Sequence, residues 1–213
     1  MGTYNKGILG AFSGKIGPVV GATWRGKDIM RSLPRKTNRA ATALQLQQRD
    51  KFAMVTEFIT PINSIVSQYF GNNKGDKTRR NQAMSYLLKE AITYVDPNLV
   101  WNFNKVLISR GDLLGFDAMT ATAGAAESID FAWTDNSGQG NATTTDKLVL
   151  VVYEETTKTT VYSLDAGKRN QGNANLIVPA YLSGLTVQVW AAFVAVDNKL
   201  YATSQYLGAV VIA

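Results

Sequence analysis

The chain has 213 residues, a length that suits one large domain or two small ones. Its 46% hydrophobic and 18% charged residues exclude the charge-rich composition of a disordered protein. The complete lack of cysteine and histidine excludes disulfides, thiolate nucleophiles, the usual zinc ligands and histidine general bases, so we expect no enzyme, no cofactor and no metal.

Positive charge is concentrated at the start of the chain. Residues 1–36 hold seven basic side chains and one acidic one, a net charge of +6 that equals that of the whole chain. Residues 37–95 hold eight basic and four acidic side chains (+4), and residues 96–213 hold seven basic and eleven acidic ones (−4). This asymmetry indicates that the basic beginning meets an acidic neighbour or a polyanion.

Residues 1–36 are predicted to form an extended, basic, glycine-rich arm. Seven glycines disfavour a helix, yet the large apolar side chains among them are too many to stay in water. We therefore expect the arm to dock on another polypeptide. The predicted subunit-interface or polyanion-binding residues are Phe12, Lys15, Trp24, Arg25, Lys27, Ile29, Met30, Arg31, Arg35 and Lys36.

A helical hairpin is predicted over residues 37–96. The sequence Thr-Ala-Leu-Gln at 42–45 matches a capping box, which marks a helix start. Apolar residues then recur at three- and four-residue steps from Phe52 to Tyr69. Pro61 lies inside this stripe and lacks a backbone N–H, so it predicts a kink or a break in the first helix.

The second helix of the hairpin is predicted from about Thr78 to Tyr94. The turn composition of residues 71–77 precedes it, and Asp96 and Pro97 follow it. Because the connecting loop is short, we expect the two helices to form an antiparallel pair.

Residues 97–213 are predicted to form an antiparallel β-sandwich. Short runs of β-branched and aromatic residues alternate with turn-forming clusters about every ten residues, the spacing of a sandwich rather than of β-α-β units. The predicted strands lie near Leu99–Ser109, Ser128–Thr134, Lys147–Glu154, Thr159–Leu164, Ala174–Ala180, Thr186–Val196, Leu200–Ser204 and Leu207–Ile212.

Two segments of this half resemble fibronectin type III and related immunoglobulin-like domains. The segment YLSGLTVQVWAAFVAVDNKLYATS at 181–204 resembles the loop and sixth strand of that fold, with Leu182 in the core, although the tyrosine usual early in this strand is absent. The segment ESIDFAWTDNSG at 127–138 resembles its second strand, with three side chains pointing inward: Ile129, Phe131 and Trp133. The resemblance implies an immunoglobulin-like sandwich for about half the chain.

The whole chain resembles a family of uncharacterised proteins of this length from Bacteroidota and the bacteriophages that infect them. The resemblance is carried by GAFSGKIGPVVGATWRGKDIMRSLPRK at 10–36, QLQQRDKFAMVTEFITPI at 45–62, NQAMSYLLKEAI at 81–92 and VLISRGDL at 106–113. It implies no catalytic residues, and it implies a role in the tail or head–tail region of crAss-like and similar virions.

Four patterns of functional interest have simpler interpretations. GAFSGKIG at 10–17 departs from a phosphate-binding loop, since isoleucine follows the lysine. The tripeptide Arg-Gly-Asp at 110–112 is predicted to be a strand-end turn. Glu154 and Glu155 are adjacent in a strand, so they face opposite sides of a sheet. Four aspartates near strand ends lack the spacing of a calcium loop: Asp130, Asp135, Asp146 and Asp165.

These observations predict a non-enzymatic structural protein of a bacteriophage virion, in a tail or head–tail ring or connector. We expect it to form a homo-oligomeric ring that binds copies of itself and neighbouring virion proteins through the arm. We also expect assembly in the bacterial cytoplasm without membrane contact, since no stretch suits a secretion signal or a membrane-spanning helix. Two alternatives stay open: a nucleic-acid-binding accessory protein that uses the basic arm, and a surface- or carbohydrate-binding module that uses Tyr201 and Tyr206.

Overall fold

The chain divides into two compact units, Met1–Ala43 and Leu44–Ala213. The regions predicted as a helical hairpin and a β domain therefore belong mostly to one unit. The computed structural model describes residues 2–4, 10–24, 26–35, 40–72, 75, 77–125 and 127–213.

The first unit contains a four-stranded antiparallel sheet, the N-terminal sheet. Its strands are adjacent in chain order: β1 (Gly2–Tyr4), β2 (Phe12–Ile16), β3 (Val19–Trp24) and β4 (Lys27–Ser32). Gly17 and Gly26 adopt positive φ in the tight turns that join β2 to β3 and β3 to β4. The segment predicted as an extended arm thus forms a paired sheet, which the sequence analysis did not predict, because its glycines allow hairpin turns as well as an extended backbone.

The first predicted helix is broken where Pro61 was expected to break it. Helix α1 spans Ala43–Ile59 and α2 spans Asn63–Tyr69, and residues 60–62 form a turn between them. The predicted apolar stripe is buried from Val55 onward, through Ile59, Ile62, Val66 and Tyr69.

Helix α3 spans Arg79–Glu90 and contacts α2. The side chain of Thr78 caps its start, since the Asn81 N–H donates to the hydroxyl at 3.2 Å. The predicted extension of this helix to Tyr94 is wrong. Residues after Glu90 instead form β5 (Ile92–Val95), which pairs with β6 (Asn98–Trp101) in a hairpin.

Seven further strands complete the second unit: β7 (Met119–Ala123), β8 (Ser128–Trp133), β9 (Lys147–Glu154), β10 (Thr159–Ser163), β11 (Asn173–Ile177), β12 (Thr186–Val194) and β13 (Gln205–Val211). They form a four-stranded central sheet, β10-β9-β12-β13, and a three-stranded outer sheet, β11-β8-β7, both antiparallel. The mainly β fold with a helical part is therefore confirmed.

Three strand predictions need correction. Strand β7 was not predicted, because four of its five residues are Thr or Ala, which lack the bulk of typical strand residues. The predicted strand Leu99–Ser109 ends at Trp101, and a short 3-10 turn follows at Phe103–Lys105. The predicted strand Leu200–Ser204 contains only isolated bridges, one of which joins Tyr201 to Val194.

The central sheet is covered on both faces. Along β9, Val149, Val151 and Tyr153 join a core cluster with the helices, whereas Leu148, Leu150 and Val152 join a second cluster with the outer sheet. The second cluster also contains residues that the sequence placed inward: Ile129, Phe131, Trp133, Leu182, Val187, Val189 and Ala191. Helices, central sheet and outer sheet thus form three layers within this unit.

Candidate interaction surface

The strand register of the N-terminal sheet sorts its side chains onto two faces. Residues directly opposite one another in an antiparallel sheet point to the same side. Gly14 of β2 lies opposite Gly21 of β3, which lies opposite Met30 of β4. The neighbouring row joins Lys15 to Val20 and Val20 to Arg31. These two rows therefore lie on opposite faces.

One side, here the apolar face, carries Gly2, Phe12, Gly14, Ile16, Val19, Gly21, Thr23, Asp28, Met30 and Ser32. Its glycines make room for large neighbours. A Cβ at Gly21 would collide with the carbonyl oxygen of Phe12 and come within 2.7 Å of its ring, and a Cβ at Gly2 would come within 2.7 Å of Ile16 Cγ1. The Phe12 and Ile16 side chains therefore lie across adjacent strands.

The apolar face is open to solvent. Met30 is 73% exposed and Ile16 is 41% exposed. Its one acidic residue, Asp28, accepts a hydrogen bond from the Thr23 hydroxyl at 2.9 Å. Among the strand residues Gly2, Thr3 and 12–16, 19–24 and 27–32, Gly21 alone is buried.

The other side, here the basic face, carries Thr3, Ser13, Lys15, Val20, Ala22, Trp24, Lys27, Ile29 and Arg31. Its three cationic side chains, Lys15, Lys27 and Arg31, are exposed, and no acidic residue of the described strands shares this face. Trp24 is 57% exposed and lies directly opposite Lys27 in the register of β3 and β4.

The structure divides the residues predicted from the sequence between these faces. Phe12 and Met30 lie on the apolar face, and Arg35 is exposed after the end of β4. Arg25 and Lys36 lie outside the described residues. The basic face holds the remaining five: Lys15, Trp24, Lys27, Ile29 and Arg31. The sequence could not tell that these side chains lie on two separate faces of one sheet.

A second exposed apolar surface lies at the start of α1. Leu44 and Phe52 are 74% and 53% exposed, although both share the helix face of the stripe that is buried from Val55 onward. The apolar stripe of this helix is therefore longer than the core that covers it. We call these two residues the α1 patch.

A buried ion pair joins the loops of the second unit. Arg169 and Asp146 have fully buried side chains, with Nε 2.9 Å from Oδ2. The guanidinium also donates to Asn136 Oδ1 and to the Leu114 carbonyl oxygen at 2.8 Å. Burial lowers the pKa of Arg169, and the Asp146 carboxylate opposes that shift. The pair satisfies its charges internally, so it has a structural role.

The same unit contains several cavities, and two of them involve Tyr201 or Tyr206. Arg110, Gly111 and Asp112, the predicted strand-end turn, line a polar cavity of about 310 Å³ together with Lys199 and Tyr201. Tyr201 is buried and donates to the Gly71 carbonyl oxygen at 2.7 Å, so it is not the exposed aromatic residue of the carbohydrate-binding alternative.

The second cavity, of about 370 Å³, lies beside the β5-β6 hairpin. Tyr206 is half-buried there and stacks on Phe103 with ring centroids 6.5 Å apart. Its hydroxyl donates a hydrogen bond to Gln188 Oε1. Sequence reasoning missed both cavities, because segments far apart in the chain form each of them.

The acidic residues considered as calcium ligands are dispersed in the structure. Asp146 pairs with Arg169, and Asp130 accepts from Asn175 at 2.6 Å. Within the described ranges, no three acidic side chains are grouped as a metal site would require. The helices of the described chain are also too short and too polar to cross a membrane.

One comparison with known proteins covers nearly the whole chain. The model of a family of unknown function, DUF6266, matches residues 11–208, from the start of the β2 region to β13. The match includes parts of both units, and it covers strands β2, β3 and β4 of the N-terminal sheet but not β1. No curated protein matches the sequence.

Proposed function

The chain belongs to this family of unknown function, DUF6266, and on that premise we propose that it is a non-enzymatic structural protein that binds copies of itself through its N-terminal sheet. The observation that carries the proposal is the exposure of the apolar face. Met30 and Ile16 are too exposed for residues of a finished core. A single-layer sheet with an apolar face gains stability when a second layer covers that face.

The proposed second layer is the α1 patch of another copy. Leu44 and Phe52 are exposed in the single chain, as Met30 is, so both surfaces are available for packing between copies. A helix on a sheet face is a common way to bury an apolar stripe. Burial would contribute roughly 25 cal/mol per Å² of apolar area, before the cost of association is subtracted.

This contact joins two different surfaces, so it repeats from copy to copy. A repeated head-to-tail contact closes into a ring when its rotation divides a full turn, and otherwise it extends as a filament. We propose the ring. Its setting is the tail or head–tail region of a bacteriophage virion, with neighbouring virion proteins as further partners and assembly in the bacterial cytoplasm. The support for this setting is the sequence resemblance described above.

We also propose that strands β7 to β13 form an immunoglobulin-like sandwich of the fibronectin type III kind. The support is the division into a three-stranded sheet, β11-β8-β7, and a four-stranded sheet, β10-β9-β12-β13, that share one core. An experimental structure should superpose on such domains with strands matched in order. A superposition that needs a different strand order would contradict this proposal.

The self-association proposal is tested by Met30→Glu in the full chain. The contact would bury a carboxylate at the centre of the apolar face, so the dissociation constant should rise at least tenfold. That change corresponds to a loss of about 1.4 kcal/mol of binding free energy. Phe52→Glu should have the same effect from the other side. The measurement is light scattering coupled to size exclusion over a range of concentrations.

Ile29→Glu is the matched control, since Ile29 is the neighbouring residue of β4 on the basic face. It should leave association unchanged. A wild-type chain that stays monomeric, or equal losses in the Met30 and Ile29 variants, would contradict the proposed contact. Electron microscopy of the oligomer should show closed rings, and filaments would refute the ring. Mass spectrometry of purified phage particles should detect the chain, and its absence from them would refute the virion setting.

A further inference from the structure

The basic face has a charge pattern that the self-association proposal does not use. Lys15, Lys27 and Arg31 are exposed there, and the acid of the same segment, Asp28, lies on the apolar face with Thr23. Because the strand register separates that carboxylate from the cations, it does not share their face. The basic face therefore favours an anionic partner.

The spacing of the cations favours a chain of anions over a single one. Lys15 and Arg31 lie two strand spacings apart, roughly 10 Å, and Lys27 and Arg31 lie four residues apart along β4, roughly 13 Å. These separations are about one Debye length at physiological salt, so one carboxylate cannot neutralise more than one of the three cations. A polymer with a regularly repeated charge can neutralise all three.

Trp24 adds an aromatic surface to this pattern. Its indole is 57% exposed and stands opposite Lys27 across the β3-β4 pair. Small side chains, Ser13 and Ala22, occupy other positions of the same face, so a flat ligand can approach the sheet. Nucleic-acid bases stack on exposed aromatic rings while cations contact the phosphates, so a single strand of nucleic acid can use both features of this face.

We infer that the basic face of the N-terminal sheet binds a single strand of nucleic acid, with Lys15, Lys27 and Arg31 on the phosphates and Trp24 stacked on a base. This inference does not rest on the self-association proposal, because it uses the opposite face of the sheet. The two activities are also compatible. A copy whose apolar face is docked would still present its basic face, so a ring of copies would carry one such surface per subunit.

The test measures fluorescence anisotropy of a labelled oligothymidylate, with the full chain, over a range of salt concentrations. Affinity should fall with salt, since binding releases counterions. Removing one phosphate contact by Lys15→Gln, Lys27→Gln or Arg31→Gln should reduce the slope of log affinity against log salt by about 0.7. Trp24→Ala should weaken binding roughly 5- to 150-fold and leave the salt slope unchanged, because stacking involves no charge.

Two controls separate this surface from a general effect of charge or folding. Lys199→Gln removes an exposed cation of the second unit and should leave the slope unchanged, and Met30→Ser alters the apolar face and should leave the affinity unchanged. Absence of binding at about 20 mM salt, or a Lys199 variant that loses as much slope as the Lys27 variant, would overturn the inference. Two further results would overturn the inference. One is polyglutamate that competes with the oligonucleotide at equal charge, and the other is duplex DNA that binds more tightly than the single strand with an affinity unchanged by Trp24→Ala. Either result would assign the face to another kind of polyanion.

Discussion

The N-terminal sheet and the central sheet are both four-stranded and antiparallel, yet their surroundings are opposite. In the central sheet, every residue of β9 from Leu148 to Tyr153 is buried, because helices cover one face and the outer sheet covers the other. In strands β2, β3 and β4 of the N-terminal sheet, every residue except Gly21 is exposed or half-buried. Both sheets consist of paired antiparallel strands, so the difference lies in the layers.

The sequences of the strands reflect this difference. Strand β9 is a continuous apolar run, as expected of a strand that is buried on both faces. The N-terminal strands interrupt short apolar runs with glycine, lysine and arginine, and the strand register places the three described cations on one face. The comparison teaches that hairpins can specify a sheet whose faces stay largely unburied in its own chain; a second copy is our proposal for the layer that covers it.

The two sheets also differ in how charge is treated. The second unit encloses Arg169 and Asp146 together and satisfies both with hydrogen bonds. The N-terminal sheet keeps its cations in solvent. Three substitutions test the differences between the two sheets and their units, from the largest expected change in the free energy of unfolding to the smallest.

Arg169→Met should have the largest effect, a loss of about 3–5 kcal/mol. The methionine retains much of the packing on Phe193, whose ring lies 3.9 Å from the guanidinium carbon, but it leaves Asp146 buried without a counter-charge. Denaturant unfolding provides the measurement. Lys147→Met is the control, since its pair with Asp165 is partly exposed and 3.8 Å long, and it should cost less than about 1 kcal/mol. Equal losses would contradict the contrast between buried and exposed charge.

Glu154→Gln should have a smaller, pH-dependent effect. Burial by itself raises the pKa of this carboxyl group, but hydrogen bonds from Thr157 and Thr156 outweigh it and lower the pKa from 4.5 to about 2. The carboxylate therefore stabilises the fold above about pH 4.5, and this stabilisation is lost as the pH falls towards 2.

Unfolding of the wild type and of the Gln variant should accordingly differ at pH 7 and converge near pH 2. Glu155→Gln is the matched control, because Glu155 is the adjacent residue and is exposed. It should follow the wild type at every pH. A difference between wild type and Glu154→Gln that grows towards acid pH would show that the carboxylate does not act in this way.

Gly21→Val should change the unfolding free energy of the second unit least, by less than about 0.5 kcal/mol. Its Cβ would collide with Phe12, so the N-terminal sheet should open locally and self-association should weaken. Hydrogen exchange of β2 and β3 amides reports the first effect, and light scattering reports the second. Ala22→Val, on the basic face, should leave both unchanged. A Gly21 variant whose β2 and β3 amides stay protected and whose association is normal would contradict the predicted opening of the sheet and its link to self-association.

Much of the second unit could be predicted because its signals are local. The break at Pro61 follows from the missing N–H of one residue, and the buried stripe from Val55 to Tyr69 follows from helical spacing. The inward residues of β8 follow from strict alternation. The prediction failed at Ile92–Val95, where helical spacing continued into residues that pair with β6 instead. Pairing with a later segment outweighed local preference there.

By itself, the sequence determined the β-rich class, the helix breaks and the basic, apolar character of the first 36 residues, because propensity, spacing and charge are properties of neighbouring residues. Only the tertiary structure decided that those residues form a sheet, that Met30 and Lys27 lie on opposite faces of it, and that helices and the outer sheet enclose β9. Strand register and layering join residues that are distant in the chain, and no local pattern encodes which of them meet.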